Sequence, residues 1–250
     1  MSERTQRLLF YASLLAIWFA VAKARFWPPY LFPGPADVLQ TLHQGFSDHS
    51  FAIGILKSLK RIILGYSFSA ALGILLGLWT ARVRWMENTV GSLIVGLQTL
   101  PSICWLPAAI LWFGLSESAI LFVVIMGALM AISIGTHDAV KNLPPIYNRA
   151  ALTMGVRGLR LYREVIFPAA LPGIVSALKQ GWSFAWRSLM AGELLFVSPG
   201  LGHLLQMGRD LNDINLVVAV MIVIMALGWS VDRFIFSAWE LRLRQKRGMA

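Results

Sequence analysis

From residue 119 to residue 136 the chain carries no charged side chain. A helix of eighteen residues rises about 27 Å, close to the ~30 Å hydrocarbon core of a bilayer, so this run is long enough to span one. Comparable apolar segments recur at residues 53–80, 90–113, 173–197 and 216–239. A further one, residues 8–22, reaches span length if it extends to Trp27 and lets Lys23 and Arg25 reach for the interface. Six such segments predict an all-α, polytopic membrane protein of about six transmembrane helices, a single domain over residues 1–250. Residues 8–22 also fit a secretory leader, with Ala20, Val21 and Ala22 as its cleavage site; the extended length favours a retained helix.

Composition closes off other classes. The chain is 57% hydrophobic and 14% charged, outside the range of ordinary soluble domains. Its net charge of +10 would suit a nucleic-acid binder if the cations were massed on one soluble face. They lie between the apolar runs instead, so the expected partner is the lipid membrane and no nucleic acid. With both termini cytoplasmic, 13 of the 22 Lys and Arg residues fall on inner segments and 6 on outer ones, Lys57, Lys60 and Arg61 counted outside. That asymmetry has the sign of the positive-inside rule. Cys104 is the only cysteine, His43, His49, His137 and His203 have no ligand spacing, and no GxxxxGK[ST] loop occurs. No metal, no cofactor and no catalytic site are expected, and any ATP hydrolysis belongs to another chain.

The spans are not alike. The second holds Gly65, Ser69, Gly73 and Gly77 at intervals of four, a smooth face for close helix packing. Pro101 and Pro107 must kink or break the third, and broken helices at membrane depth often line a substrate path. In the fifth, Lys179, Ser183 and Arg187 share one face. Arg187 lies too deep to reach the cytoplasm easily, so it should face protein or water, either on an anion path or fastening helices through an acid such as Glu193. Asp37 is the expected N-cap of a short helix over residues 38–45, and residues 198–215 form an outer loop.

One polar interval, about residues 141–172, interrupts the second half. It carries Arg149, Arg157, Arg160, Arg163 and Glu164 between Pro144, Pro145 and Pro168, Pro172. Two short helices are predicted, 146–154 and 157–166, with a left-handed break at Gly155. The order Ala150, Ala151, three residues, Gly155, nine residues, Val165, one residue, Phe167, Pro168 resembles the EAA loop of the membrane subunits of binding-protein-dependent ABC importers. Arg149 stands where that family usually has Glu, and Phe167 where it usually has Leu. Residues 99–114, TLPSICWLPAAILWFG, resemble the family's third helix, and residues 169–195, followed by Gly200, Leu201 and Gly202, resemble permeases for sulfonates, taurine, nitrate and similar small anions.

The resemblance implies a permease subunit of the bacterial inner membrane that pairs with a second permease as a homodimer. It would work with two copies of an ABC ATPase subunit and an extracytoplasmic substrate-binding protein. Arg149, Ala150, Ala151, Gly155 and Pro168 would serve coupling to the ATPase, while Pro101, Pro107, Lys179, Ser183 and Arg187 are candidates for the translocation path. An ion-coupled secondary transporter is the alternative; it needs membrane-buried acids, for which only Glu193 and Asp232 qualify. An intramembrane enzyme lacks a nucleophile and base on facing helices.

Overall fold

Small residues every four positions govern how the longest helices meet. Among residues 2–28, 30–196 and 198–246, which the computed structural model describes, there are helices and no strands. Five helices are long and apolar enough to cross a membrane, or six if one sharply bent pair counts as a single span. Residue contacts gather the chain into two compact units, Met1–Ser58 with Glu193–Ala226, and Leu59–Gly192 with Leu227–Ala250.

In the first unit, α1 (Glu3–Ala24) is capped by the Ser2 hydroxyl, which accepts from Thr5 N–H, and it ends on left-handed Arg25. Its apolar stretch is exposed all round, as suits a helix whose solvent is lipid. The indole of Trp18 donates to Pro33 O at 3.0 Å and ties α1 to the approach of α2 (Pro35–Ser47). That helix starts three residues before the expected point. Pro35 takes the first helical position, where its missing N–H is harmless, Gly34 is the N-cap, and Asp37 reaches back from the third position to accept from Gly34 N–H. At the following turn Asp48 accepts from Ser50 N–H, which holds its carboxyl below the usual range. The unit also contains the start of α3 (Ser50–Arg82) and a helix at residues 201–210.

In the second unit, α3 runs against α6 (Glu117–Lys141). A methyl group added at Gly65 would lie 2.7 Å from Val124 Cγ1, at Gly73 3.0 Å from Ile132 and at Gly77 2.5 Å from Ser133 O. Ser69 Oγ donates within α3 to Gly65 O at 2.8 Å and lies 3.3 Å from Ile125 O across the seam. The expected break in the third span is a bend of 103° between α4 (Arg84–Gln98) and α5 (Ser102–Phe113). Pro101 makes the break. Pro107 does not, because it falls in the first α-helical turn of Leu106–Phe113, where no donor is required.

Two further expectations need correcting. Pro168 and Pro172 do not close the polar interval: α8 runs unbroken from Gly158 to Leu195. A π-turn at Tyr162–Ile166, in which Phe167 N–H reaches Tyr162 O, brings the chain to Pro168 without ending the helix. Beyond it one missing donor at Pro172 is outweighed by the burial of Ala170, Ile174 and Val175. The supposed outer loop likewise contains α9 (Leu201–Asp210) before α10 (Ile214–Leu243) begins.

Candidate functional site

The polar interval folds as an exposed arm. Pro144, extended, leads into α7 (Pro145–Thr153). The helix ends as a Schellman turn: Gly155 N–H donates to Leu152 O at 3.1 Å and Val156 N–H to Ala151 O at 2.9 Å, with Gly155 at φ 78°. Arg157 is extended, and Gly158 adopts φ 62° as α8 starts. Two left-handed residues therefore shape this elbow, where the sequence pattern points only to Gly155. Gly158 is hidden because it sits inside a stretch whose periodicity reads as helix. Around both glycines there is open space to 4 Å, so it is their backbone angles that demand glycine.

The arm presents a mixed surface. Ala151 is buried, while Arg149, Ala150 and Pro168 are exposed. Ile146, Leu152 and Met154 are exposed as well, Met154 to 81%. Thr153 Oγ1 donates to Arg149 O at 2.7 Å, and Arg160 pairs with Glu164 within α8. A slim helix with exposed apolar side chains around one cation has the character of a docking knob for a soluble protein.

The bend between α4 and α5 opens a pocket of about 260 Å³, lined by Gln98, Thr99, Pro101, Ser102, Trp105 and Arg187 among others. The guanidinium of Arg187 lies over the Phe184 ring, 5.6 Å from its centre. The structure thus brings Pro101 and Arg187 together. Lys179, Ser183 and Pro107 are not part of this lining. Lys179 pairs with Asp232 at 3.2 Å, and Ser183 Oγ turns back to Lys179 O at 3.5 Å. One cation with hydroxyl and amide groups from an opened helix end can hold a small anion.

Two polar clusters lie outside what the sequence pattern indicates. Within the first unit Glu193 is fully buried. Its carboxylate lies 2.8 and 2.7 Å from Ser58 Oγ and accepts from Gly202 N–H at 2.9 Å, while Leu201 N–H donates to Ser58 Oγ. The carboxylate thereby caps the N-terminus of α9, where free N–H groups favour an anion. A methyl on Gly200 would come within 2.6 Å of this carboxylate and one on Gly202 within 2.5 Å of Glu193 Cβ. The paired glycines are the visible signal for this buried acid. In the second unit Arg61, only 3% exposed, makes a bidentate pair with Glu117 at the start of α6. Arg61 is thus not a free surface cation at that end of α3.

Comparison with known proteins agrees with this architecture. The model of the family described as binding-protein-dependent transport system inner membrane component matches residues 73–240. A Methanocaldococcus jannaschii protein provisionally named an ABC transporter permease is 35% identical over 177 residues, 70% of this chain and 66% of that protein. The taurine transport system permease of Escherichia coli is 26% identical, covering 88% of this chain and 82% of its own. The nitrate import permease of Synechocystis is also 26% identical, with 81% and 77% covered. Among solved structures, an inward-facing MetNI methionine ABC transporter chain superposes with a TM-score of 0.69 at 18% identity, over 78% of this chain and 96% of that one. That last likeness is one of fold.

Proposed function

That this chain belongs to the binding-protein-dependent transport system inner membrane components is the premise from which we propose its function in full. It is the membrane-spanning permease subunit of an ATP-driven ABC importer. It carries a small anionic solute, of the sulfonate, taurine or nitrate kind for which its relatives are named, into the cytoplasm. Two copies of the chain form the path, two ATPase subunits sit beneath them, and a binding protein delivers solute from outside. Both termini and the arm face the cytoplasm of a bacterial cell with the chain in its inner membrane.

The observation that carries this reading is the arm: a short exposed helix that ends on left-handed Gly155 and is followed, after Gly158, by the long rigid α8. Closure of the ATPase pair would displace α7, and α8 would transmit the movement into the membrane as alternation between inward-open and outward-open states. The pocket holding Arg187 beside the Pro101 break is the proposed anion path. An ion-coupled mechanism gains nothing from the buried acid, because Glu193 is committed to Ser58 and Gly202.

Reconstitution tests the proposal. In proteoliposomes the chain alone should hydrolyse no ATP. With its ATPase and loaded binding protein it should hydrolyse ATP and accumulate labelled taurine, alkanesulfonate or nitrate. ATP turnover by this polypeptide alone, free of contaminants, sinks the reading.

A further inference from the structure

The arm does more than present an outer surface. Between the last third of α3 and the first turns of α8 lies a groove of about 610 Å³, with Leu72, Leu75, Trp79, Arg82, Tyr162 and Arg163 among its walls. Its apolar side chains are open to the surroundings: Leu75 is 64% exposed and Trp79 56%. Both cations lie at one end. The Arg82 guanidinium lies over the Tyr162 ring at 4.8 Å, joining the two walls. Neither arginine has a carboxylate partner among the described residues. The neighbouring acid, Glu164, is held by Arg160 at 2.9 and 3.0 Å.

We propose that this groove seats one anionic phospholipid of the cytoplasmic leaflet, with its phosphate on Arg82 and Arg163 and its acyl chains along Leu72, Leu75 and Trp79. Three features select that occupant. From Arg82 to Leu72 the helix descends about 15 Å, half the ~30 Å hydrocarbon core and so the depth of one leaflet. A soluble partner cannot reach that deep. A second copy of this chain would bring two more arginines to a rim that offers no acid, whereas an anionic headgroup supplies the missing charge. Because one wall belongs to the arm, a seated lipid would brace the root of the coupling element against α3.

The proposal rests on the orientation given under the proposed function, with the arm on the cytoplasmic side. Its test reads lipid retention and not transport, so the two readings fail separately. The full-length chain, purified in micelles containing equal phosphatidylglycerol and phosphatidylcholine, is weighed by native mass spectrometry. The expected result is one phosphatidylglycerol retained in preference to phosphatidylcholine. Replacing Arg82→Gln and Arg163→Gln together should weaken that retention roughly fivefold per charge removed, while phosphatidylcholine adducts and elution volume stay unchanged and so show an intact fold. The pair Arg82→Lys and Arg163→Lys should keep the preference. Leu75→Trp, which narrows the groove without touching charge, should lower retention. Equal retention of the two lipids by the unaltered chain, or an undiminished preference in the double Gln variant, overturns the proposal. So does displacement of the lipid by millimolar glycerol 3-phosphate, which would make the site one for free phosphate. A Leu75→Cys variant that cross-links to a second copy in native membranes would assign the groove to the dimer and overturn it too.

Discussion

The α3–α6 seam and the arm both depend on glycine, for opposite reasons. At Gly65, Gly73 and Gly77 the backbone is ordinary helix and the neighbouring atoms leave no room for a side chain. At Gly155 and Gly158 there is ample room and the backbone is one that other residues adopt only under strain. The first pattern makes a frame in which two helices hold each other at close range, where lipid offers no hydrophobic drive for association. The second makes an elbow whose angle is set locally, and under the proposed function this elbow is the lever that meets the ATPase. Substitutions in the frame should therefore be read in folding and assembly, and substitutions in the lever in coupling.

The largest expected effect is in the frame. Gly77→Leu drives a side chain against Ser133 O and Thr136, backbone on one side and a β-branched residue on the other. Overpacking of this kind costs typically 1–3 kcal/mol and sometimes more; we expect about 3 kcal/mol here, seen as loss of monodisperse protein after detergent extraction. Gly65→Ala should cost less, because it adds a single methyl, which meets Val124 Cγ1 at 2.7 Å and Cβ at 3.1 Å but no backbone atom closer than 3.7 Å. Equal stability of the two variants would show that the seam is not close-packed along its length.

Next is the lever. Gly155→Val places a β-branched residue at φ 78°, a strain of about 1–2 kcal/mol confined to the elbow. Insertion and thermal stability should change little, whereas uptake and binding-protein-stimulated ATP turnover should fall by up to about a hundredfold, the scale on which misplacing a working element by an ångström is felt. Normal uptake with Val at this position breaks the contrast between frame and lever.

Much of this contrast is legible in the amino-acid sequence, and what is not legible has physical causes. Stripes of small residues and isolated apolar runs are local patterns, so the seam, the Pro101 break and the Gly155 turn can be read directly. Pro168 and Pro172 mislead because proline is only a helix breaker on average; a π-turn ahead of Pro168 and buried neighbours after it carry α8 through. α9 escapes a reading by hydropathy because it needs no long apolar run, only a cap. That cap is Glu193, and although Gly200 and Gly202 mark a close approach, nothing in the spacing of residues 58, 193 and 202 says which side chains approach. The same limit hides the pairing of Lys179 with Asp232 and of Arg61 with Glu117. These long-range polar contacts decide which charges are free, and they leave Arg187 as the cation of its stripe that faces a pocket.

A test of Arg187 falls between frame and lever. The side chain is exposed and stacked on Phe184, so Arg187→Gln should assemble normally. Uptake of the anion should fall by about tenfold, the worth of one charge-assisted hydrogen bond of roughly 1.5 kcal/mol. Arg187→Lys should lie between, since it keeps the charge and loses the planar fork. Wild-type uptake by a normally assembled Gln variant removes Arg187 from the path, and failed assembly moves it into the frame.

The smallest effect should come from Arg149→Glu, which restores the acid usual in the resembled loop. Arg149 lies at the middle of α7, away from either end and its dipole, and is exposed. Its backbone carbonyl, and not its guanidinium, accepts from Thr153. Reversing the charge therefore removes no intramolecular bond of the helix, and stability should be unaffected. What changes is the charge offered to the ATPase. An exposed charge at the rim of a docking surface contributes mainly to association rate and salt dependence, at about 1 kcal/mol or less. Coupled ATP turnover at physiological salt should thus change by less than about fivefold, with a larger difference from the unaltered chain at low ionic strength, where screening is weak. Titrating the ATPase onto reconstituted permease at two salt concentrations checks this. A loss of a hundredfold that persists in high salt would mean that Arg149 is buried against a specific acid in the assembled importer. The arm would then have to be described as half of a close-packed interface, and the distinction between a fitted frame and a free lever would hold only for the chain before it meets its ATPase.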